Sequence, residues 1–386
     1  MTGERFRGRN LWVMAKGYLP DEGGMQTYAR GVAEGYARQG ARVTVFTQTS
    51  AGPRREQVGP VMLVDIGAGK SPLVLARFLG DMRQERARTG APDVVHATTW
   101  RTSVPPLLLG LPYLTTFHGR EFMYPAGLAL AVMRLVARRA RRLVTVSHYS
   151  AARLTRRLGA DMAPPVVAWN GLSSEYDAAA PRPAKHSEAQ GGVPLIFSLC
   201  RLEPRKNIAA AVQACARARA AGHVFRYVIG GRGPELERIA GLVRELGLES
   251  CVEVAGFLAN ARVEQLYREA DLFLHPQIEA DGGRDFEGFG IAIADAMVTG
   301  TAVIAGIDGG ARELIENGVS GFSVDGRDVG AIASAISALL EDAGLRASMG
   351  AAARVRALAE FTWDRHVELC MSGVSSSDGH TTEALA

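Results

Sequence analysis

Along this chain, short apolar runs alternate with longer stretches in which apolar positions recur at helical spacing. The short runs predict strands and the longer stretches predict helices. In the first half the predicted strands are Leu11–Ala15, Val43–Thr47, Val61–Asp65, Val94–His96, Tyr113–Phe117, Leu143–Val146 and Val166–Trp169. Helices are predicted between them at Met25–Gln39, Pro72–Thr89, Ala126–Arg139 and Tyr149–Leu158. The second half restarts the pattern with strands Leu195–Leu199, Tyr227–Gly230, Val252–Ala255, Leu272–His275, Ala302–Ala305 and Phe322–Val324. Its helices are Ile208–Ala221, Glu235–Leu246, Arg262–Ala270, Gly290–Val298 and Val329–Leu340. Strands that alternate with helices argue an α/β class built on parallel, doubly wound sheets, with ligands at the carboxyl ends of strands.

Apolar periodicity lapses over Asp177–Gly192, which carries three consecutive alanines, two prolines and two glycines. It reads as a linker at 177–192 between domains 1–176 and 193–342. The Ser/Gly/Thr-rich tail 372–386 has the composition of a disordered segment. A length of 386 residues suits two domains, and 47% hydrophobic content supplies two cores. No apolar run reaches the roughly 20 residues that span a bilayer. The basic start leads into a run too short for a signal sequence, so a cytoplasmic protein is expected. The four cysteines show no metal or disulfide spacing and read as reduced thiols.

The net charge of +4 conceals an asymmetry. Residues 1–190 carry 26 Lys and Arg against 14 Asp and Glu, whereas the remainder carries 18 against 26. Arg134, Arg138, Arg139, Arg141, Arg142, Arg153, Arg156 and Arg157 fall in a stretch without an acidic residue. If the helix from Ala126 runs to Arg142, four of them share helical spacing. Such a half could lie as a solvated face or dock on an anionic surface, including lipid headgroups at the inner face of a membrane. No aromatic stacking platform or motif supports a nucleic-acid partner.

Several familiar signatures are missing. Gly67-Ala68-Gly69-Lys70-Ser71 ends like a phosphate loop, but that pattern requires glycine where Val64 stands. No Gly-x-Gly-x-x-Gly follows the first strand, and no Asp-x-Asp occurs. Glu279 and Asp281 form a loop carboxylate pair without evident further ligands, so no metal site is expected.

Stronger signals lie in the second half. Strand Leu195–Leu199 runs into Cys200-Arg201-Leu202-Glu203-Pro204-Arg205-Lys206-Asn207, after which a helix begins. Cations at a strand's carboxyl end, ahead of a helix N-terminus, suit an anion, with arginine binding phosphate oxygens in pairs and lysine adding a compact charge. The second signal is Phe286-Glu287-Gly288-Phe289-Gly290-Ile291, opening a helix that carries Asp295. Glycines there let amide groups approach a phosphate closely.

Arg201 and Lys206, then Glu287-Gly-Phe-Gly-x-x-x-x-Asp295, then Gly309-Gly310 with Glu313 and Asn317-Gly318-x-x-Gly321-Phe322, resemble the retaining glycosyltransferases of family 4, which have the GT-B fold. Gly23-Gly24, His118-Gly119, Ser147, Trp169-Asn170-Gly171 and the loop Gly230-Gly231-Arg232-Gly233-Pro234 extend the resemblance over nearly the whole chain. One departure is Asp295, where the family usually has glutamate.

The resemblance implies two Rossmann-like doubly wound domains facing a cleft. The first is the acceptor side and the second binds a nucleotide-sugar, with helices over 343–371 crossing back to the first. It implies that Arg201 and Lys206 neutralise the leaving diphosphate, that Glu287 holds sugar hydroxyls and that His118 contacts the sugar. Gly23, Gly24, Gly231, Phe257, Gly288, Phe289, Gly290 and Ile291 would join the donor site, and Asp295 would meet the ribose. The implied reaction moves a hexosyl group from a UDP- or GDP-sugar to a glycan, a lipid-linked glycan or a small molecule, with retention and without cofactor or metal. A nucleotide-sugar 2-epimerase and a non-catalytic nucleotide-sugar binder are alternatives on the same fold, the first distinguished by an epimerised product formed without acceptor. With the site placed at strand ends, where burial counts for little, Lys206→Ala and Glu287→Ala are expected to fold normally.

Overall fold

The computed structural model describes residues 4–21, 23–69, 71–159, 161–174, 181–188 and 192–374. The chain divides into two compact units. The first comprises the described residues up to Val146, Ala151–Gly171 and those from Trp363 onward. The second comprises Ser147–Ser150 and the described part of Leu172–Thr362.

The first unit contains β1 (Asn10–Met14), α1 (Gly24–Arg38), β2 (Arg42–Thr47), β3 (Arg54–Val58), β4 (Val61–Asp65), α2 (Ser71–Thr89), β5 (Val94–Ala97) and α3 (Val104–Leu108). It continues with β6 (Tyr113–Phe117), α4 (Arg120–Met123), α5 (Gly127–Arg139), β7 (Arg142–Thr145), most of α6 (His148–Leu158) and β8 (Val166–Val167). The eight strands lie in the order β3-β4-β2-β1-β5-β6-β7-β8. Every pairing is parallel except β3 with β4. All five residues of β1 are buried, as a central strand covered on both faces requires. β3 was not expected. It is an edge strand, Arg-Arg-Glu-Gln-Val, whose charges suit an edge and erase the apolar signal.

The second unit contains β9 (Leu195–Leu199), α7 (Ile208–Ala220), β10 (Arg226–Gly230), α8 (Leu236–Glu245), β11 (Val252–Gly256), α9 (Asn260–Glu269), β12 (Leu272–His275) and α10 (Ile291–Val298). β13 (Ala302–Gly306), β14 (Phe322–Val324), α11 (Val329–Glu341) and α12 (Ala343–Glu360) complete it, and α13 (Trp363–Met371) follows in the chain. Its strands run in the order β11-β10-β9-β12-β13-β14, all parallel. In each sheet the order reverses beside the first strand, between β1 and β5 and between β9 and β12. Crevices for ligands open at the carboxyl ends of strands at such reversals.

The expected crossing segment 343–371 divides. α12 packs on α10 and β13 in the second unit, and α13 alone packs on α1 in the first. Small residues make the latter seat: a Cβ on Gly31 would stand 1.9 Å from the Trp363 ring. The expected linker is also partly structured. Lys185 is buried, its Nζ donating to the Thr299 carbonyl at 2.9 Å and to Thr301 Oγ1 at 2.8 Å. Residues 175–180 and 189–191 of the boundary, Lys70 of the loop near-miss and 375–386 of the tail lie outside the described residues. The helix from Ala126 does not reach Arg142 either. Ala140 turns extended, the Arg141 amide donates to the Tyr113 carbonyl at 2.8 Å, and Arg142 enters β7.

Candidate active site

The second unit's reversal point gathers the charged residues. β9 ends at Leu199, and its loop folds into a 3-10 turn over Pro204–Lys206. Asn207, left-handed at φ 56°, closes that turn and donates to the Pro276 and Gly326 carbonyls at 3.0 and 2.6 Å. The turn points Lys206 inward, leaving it 8% exposed. Its Nζ donates to the Glu287 carboxylate and stands 3.3 Å from Nε2 of His275, the last residue of β12. Around this trio Glu203 bridges Arg201 and Arg205 at 3.1 and 3.0 Å, and Arg205 also meets Asp285 at 3.2 Å. Arg201 extends outward with a side chain 75% exposed.

Burial pushes the Glu287 carboxyl up, but the Lys206 ammonium, with Arg205 beyond it, outweighs burial and holds the carboxyl well below the usual range. Burial, then the Lys206 charge, pushes His275 down to about 4, against the opposing pull of Glu287. The trio is therefore an ammonium, a carboxylate and a neutral imidazole. Its burial overturns the expectation that the site's variants fold undisturbed: removing one partner of a buried pair strands the other charge.

Glycines hold Glu287 in place. Gly310 donates its amide to the Glu287 carbonyl at 2.8 Å, and a Cβ on Gly309 would stand 2.6 Å from that oxygen. Gly290 caps α10 at φ 97°, a left-handed conformation that favours glycine. Gly288, Phe289, Gly290 and Ile291 thus bring the start of α10 beside the Lys206–Glu287 pair, and Phe289 is anchored edge-on to Phe361 at 5.6 Å. On the β10 side, Gly231 crosses so close to the β9 loop that a Cβ would meet the Cys200 carbonyl at 1.8 Å. Phe257, just past β11, is 54% exposed with the Arg232 guanidinium 4.5 Å from its ring centre.

Asp295 lies on α10. It is buried, and its Oδ1 accepts the Ser173 amide at 2.9 Å. Burial pushes its carboxyl up to about 6, partly offset by Ser173.

In the first unit Gly23, at φ 144°, precedes α1, and Gly24 is that helix's first residue. His118 follows β6. Its Nε2 lies 2.9 Å from the Thr98 carbonyl, and since a carbonyl only accepts, that nitrogen carries the proton. Glu121 accepts the amides of His118 and Gly119 at 2.6 and 2.9 Å, fixing the loop. The Tyr28 ring stands edge-on to His118 at 4.5 Å. The Tyr28 hydroxyl lies 2.9 Å from His366 Nε2 on α13, 2.7 Å from Thr116 and 3.2 Å from His96. One further residue escaped the sequence: His275 carries no motif, only the mild signal of a histidine ending an apolar strand. Glu313, which the resemblance includes, accepts the amides of His148 and Tyr149 at 2.9 and 2.7 Å.

Among the described residues no group of three or more His, Cys, Asp or Glu could hold a metal ion, and no helix is long and apolar enough to cross a membrane.

The doubly wound pair has clear counterparts. The chain is similar to a sucrose-phosphate synthase from Thermosynechococcus elongatus (TM-score 0.74, 22% identity, 94% of this chain and 96% of that one). It is also similar to Anabaena HepE in complex with UDP and glucose (TM-score 0.73, 20% identity, 95% and 100%). These likenesses show the GT-B fold. Family descriptions match both halves: Glycosyltransferase Family 4 over residues 22–176 and Glycosyl transferases group 1 over 182–356. A GDP-mannose-dependent alpha-(1-6)-phosphatidylinositol monomannoside mannosyltransferase of Mycobacterium tuberculosis is 31% identical over 288 residues, 69% of this chain and 72% of that protein. A D-inositol 3-phosphate glycosyltransferase of Acidothermus cellulolyticus is 29% identical over 395 residues, covering 90% and 84%. The chain belongs to the family 4 glycosyltransferases.

Proposed function

We propose that this glycosyltransferase moves a hexosyl group, with retention, from a UDP- or GDP-sugar to a glycan, lipid-linked glycan or small-molecule acceptor. The observation that carries the reading is the Lys206 ammonium held on Glu287 at the β9/β12 reversal, with Arg201 and Arg205 alongside. As the glycosidic bond lengthens, positive character grows on the sugar ring and negative charge on the leaving diphosphate. Lys206 and Arg201 meet that charge, and the amides at the start of α10 add partial positive charge without reorganising. Glu287 accepts hydrogen bonds from hydroxyls of the donor sugar, and Asp295 faces the ribose. The departing phosphate takes the acceptor's proton, a route that needs no metal.

Incubating the protein with a panel of UDP- and GDP-hexoses, with and without EDTA, tests this. Slow hydrolysis of one donor that survives the chelator, with the released sugar keeping its anomeric configuration, supports the reading. Activity that requires added magnesium or manganese, or an inverted product, overturns the corresponding part.

The reading extends to a cytoplasmic enzyme that touches an anionic membrane at its inner face. On α5, Leu128 is 81% exposed and Leu135, seven residues on, is exposed beside Arg134 and Arg139. Apolar groups flanked by arginines suit a headgroup layer, each cation contributing about 1 kcal/mol. Two arginines of the basic stretch are committed elsewhere: Arg138 pairs with Asp161 at 2.8 Å and Arg157 donates to the Phe122 and Pro125 carbonyls. Co-sedimentation with phosphatidylglycerol vesicles that falls as salt rises supports the contact. Protein that stays in the supernatant at low salt points to a soluble acceptor.

A further inference from the structure

We propose that His275 is a positioning residue of the donor site, accepting a hydrogen bond from Lys206 and so aiming the ammonium at the nucleotide's diphosphate. The inference rests on the donor-site reading above and deepens it.

Protons decide the geometry. Lys206 Nζ can only donate, and it stands 3.3 Å from Nε2 of His275. That nitrogen must offer its lone pair, so the neutral imidazole carries its proton on Nδ1. Nδ1 is buried, and among the described residues it has no hydrogen-bond partner. Leaving a buried donor unpaired costs stability, so this tautomer is held at a cost and the Lys206 contact is what it serves. The alternative, Nε2 donating to Glu287, would span 3.9 Å, beyond hydrogen-bond length.

The placement also suits the role. His275 ends β12 at the sheet's reversal, and its ring lies parallel to Phe273 with centroids 6.1 Å apart. A rigid strand end is a firmer support than the loop that bears Lys206. Without a second acceptor, the ammonium would have Glu287 alone to set its direction. With one, it is held between the two, leaving its third N–H for a ligand oxygen.

The charged groups acting on the imidazole are Lys206 and Arg205 from the turn after β9 and Glu287 from the loop before α10. Two cations stand against one anion, so protonation of His275 sets like charges together and removes the acceptor. As pH falls toward about 4, where the imidazole takes its proton, Lys206 loses this hold.

Calorimetric binding of UDP and of GDP between pH 4.5 and 8 tests the idea on the full chain. His275→Leu, which deletes the acceptor, is expected to weaken the tighter of the two nucleotides at least tenfold at pH 7.5. His275→Gln, whose amide oxygen reaches the former Nε2 position, is expected to stay within threefold of wild type. It should also lose the weakening that wild type shows toward the acid end. Binding by His275→Leu within twofold of wild type, or a glutamine variant as weak as the leucine one, overturns the proposal. If His275→Leu fails to fold, the glutamine variant and its pH profile decide alone: an unchanged acid limb overturns it. The parent reading is checked separately with Lys206→Met/Glu287→Gln, which keeps the shape of the pair without its charge. A folded double variant that binds as tightly as wild type removes the donor site itself. Weak binding there with an unaffected His275→Leu removes only this inference.

Discussion

Lys206 and Glu287 are each nearly buried, and each is the other's main compensation for leaving water. Removing one partner from such a pair costs about 3–5 kcal/mol, because the survivor is left uncompensated, whereas replacing both is often close to neutral. Lys206→Met and Glu287→Gln singly are therefore expected to lower stability in denaturant titrations more than the double variant does. Turnover of the donor should fall in all three, by about 100- to 1000-fold for each preorganised group removed. A double variant as unstable as the sum of the singles would show that the pair is not coupled. Asp295 carries a second, pH-dependent expectation. Its carboxyl is raised from an ordinary 3.8 to about 6 by burial, so the charged form is penalised in the folded state. The penalty is absent below the lower value and complete above the upper one, amounting to about 3 kcal/mol for a shift of this size. Asp295→Asn removes it while keeping an oxygen for the Ser173 amide. Its stability relative to wild type should thus rise between pH 4 and 7, and a flat difference would mean the carboxyl is not buried as a charge.

Among the elements, the tightest seat is that of α13 on α1. Gly31 and Gly35 present bare backbone to Trp363: the added Cβ of Gly31 would lie 1.9 Å from the ring, and that of Gly35 3.2 Å from the Trp363 carbonyl. Gly31→Ala is expected to destabilise the first unit by about 1–3 kcal/mol, the usual cost of overpacking. A melting temperature equal to wild type would show that the helix slides freely. The sequence made most of these elements legible, since buried parallel strands are continuous apolar runs with helical periodicity between them. It hid β3, where edge charges replace apolar residues, and it overran α5, because Ala140-Arg141-Arg142 continues a helical pattern that the Tyr113 carbonyl interrupts. Of the site, the charged residues and glycines were legible because each sits in a fixed spacing around a strand end. His275 was not, since what distinguishes it is its distance to Lys206, and no local pattern encodes that. Nor was the Ser173 contact of Asp295, which joins positions 122 residues apart.

At the scale of the molecule, the first unit is assembled from separated stretches of chain, and the second is almost continuous from Leu172 to Thr362. The Tyr28–His366 hydrogen bond and the Trp363 seat both depend on α13. Cutting the chain after Thr362 should therefore leave the second unit's melting nearly unchanged while lowering that of the first, so that calorimetry resolves two transitions. A single unshifted transition would show that α13 contributes little.

The same arrangement has a consequence for how the protein is made. A ribosome completes Gly171 and then adds Leu172–Thr362, nearly all of the second unit, before it reaches Trp363. At about 5–20 residues per second, the nascent first unit waits roughly 10–40 s for its last helix. During that interval the glycine face of α1 stays uncovered and Tyr28 lacks one of its partners, while the second unit emerges whole and can close at once. The usual order of vectorial folding, N-terminal part first, is inverted here. Of the two units, the one made first is the one that finishes last, and nascent-chain proteolysis would find it the more readily cleaved until α13 leaves the exit tunnel.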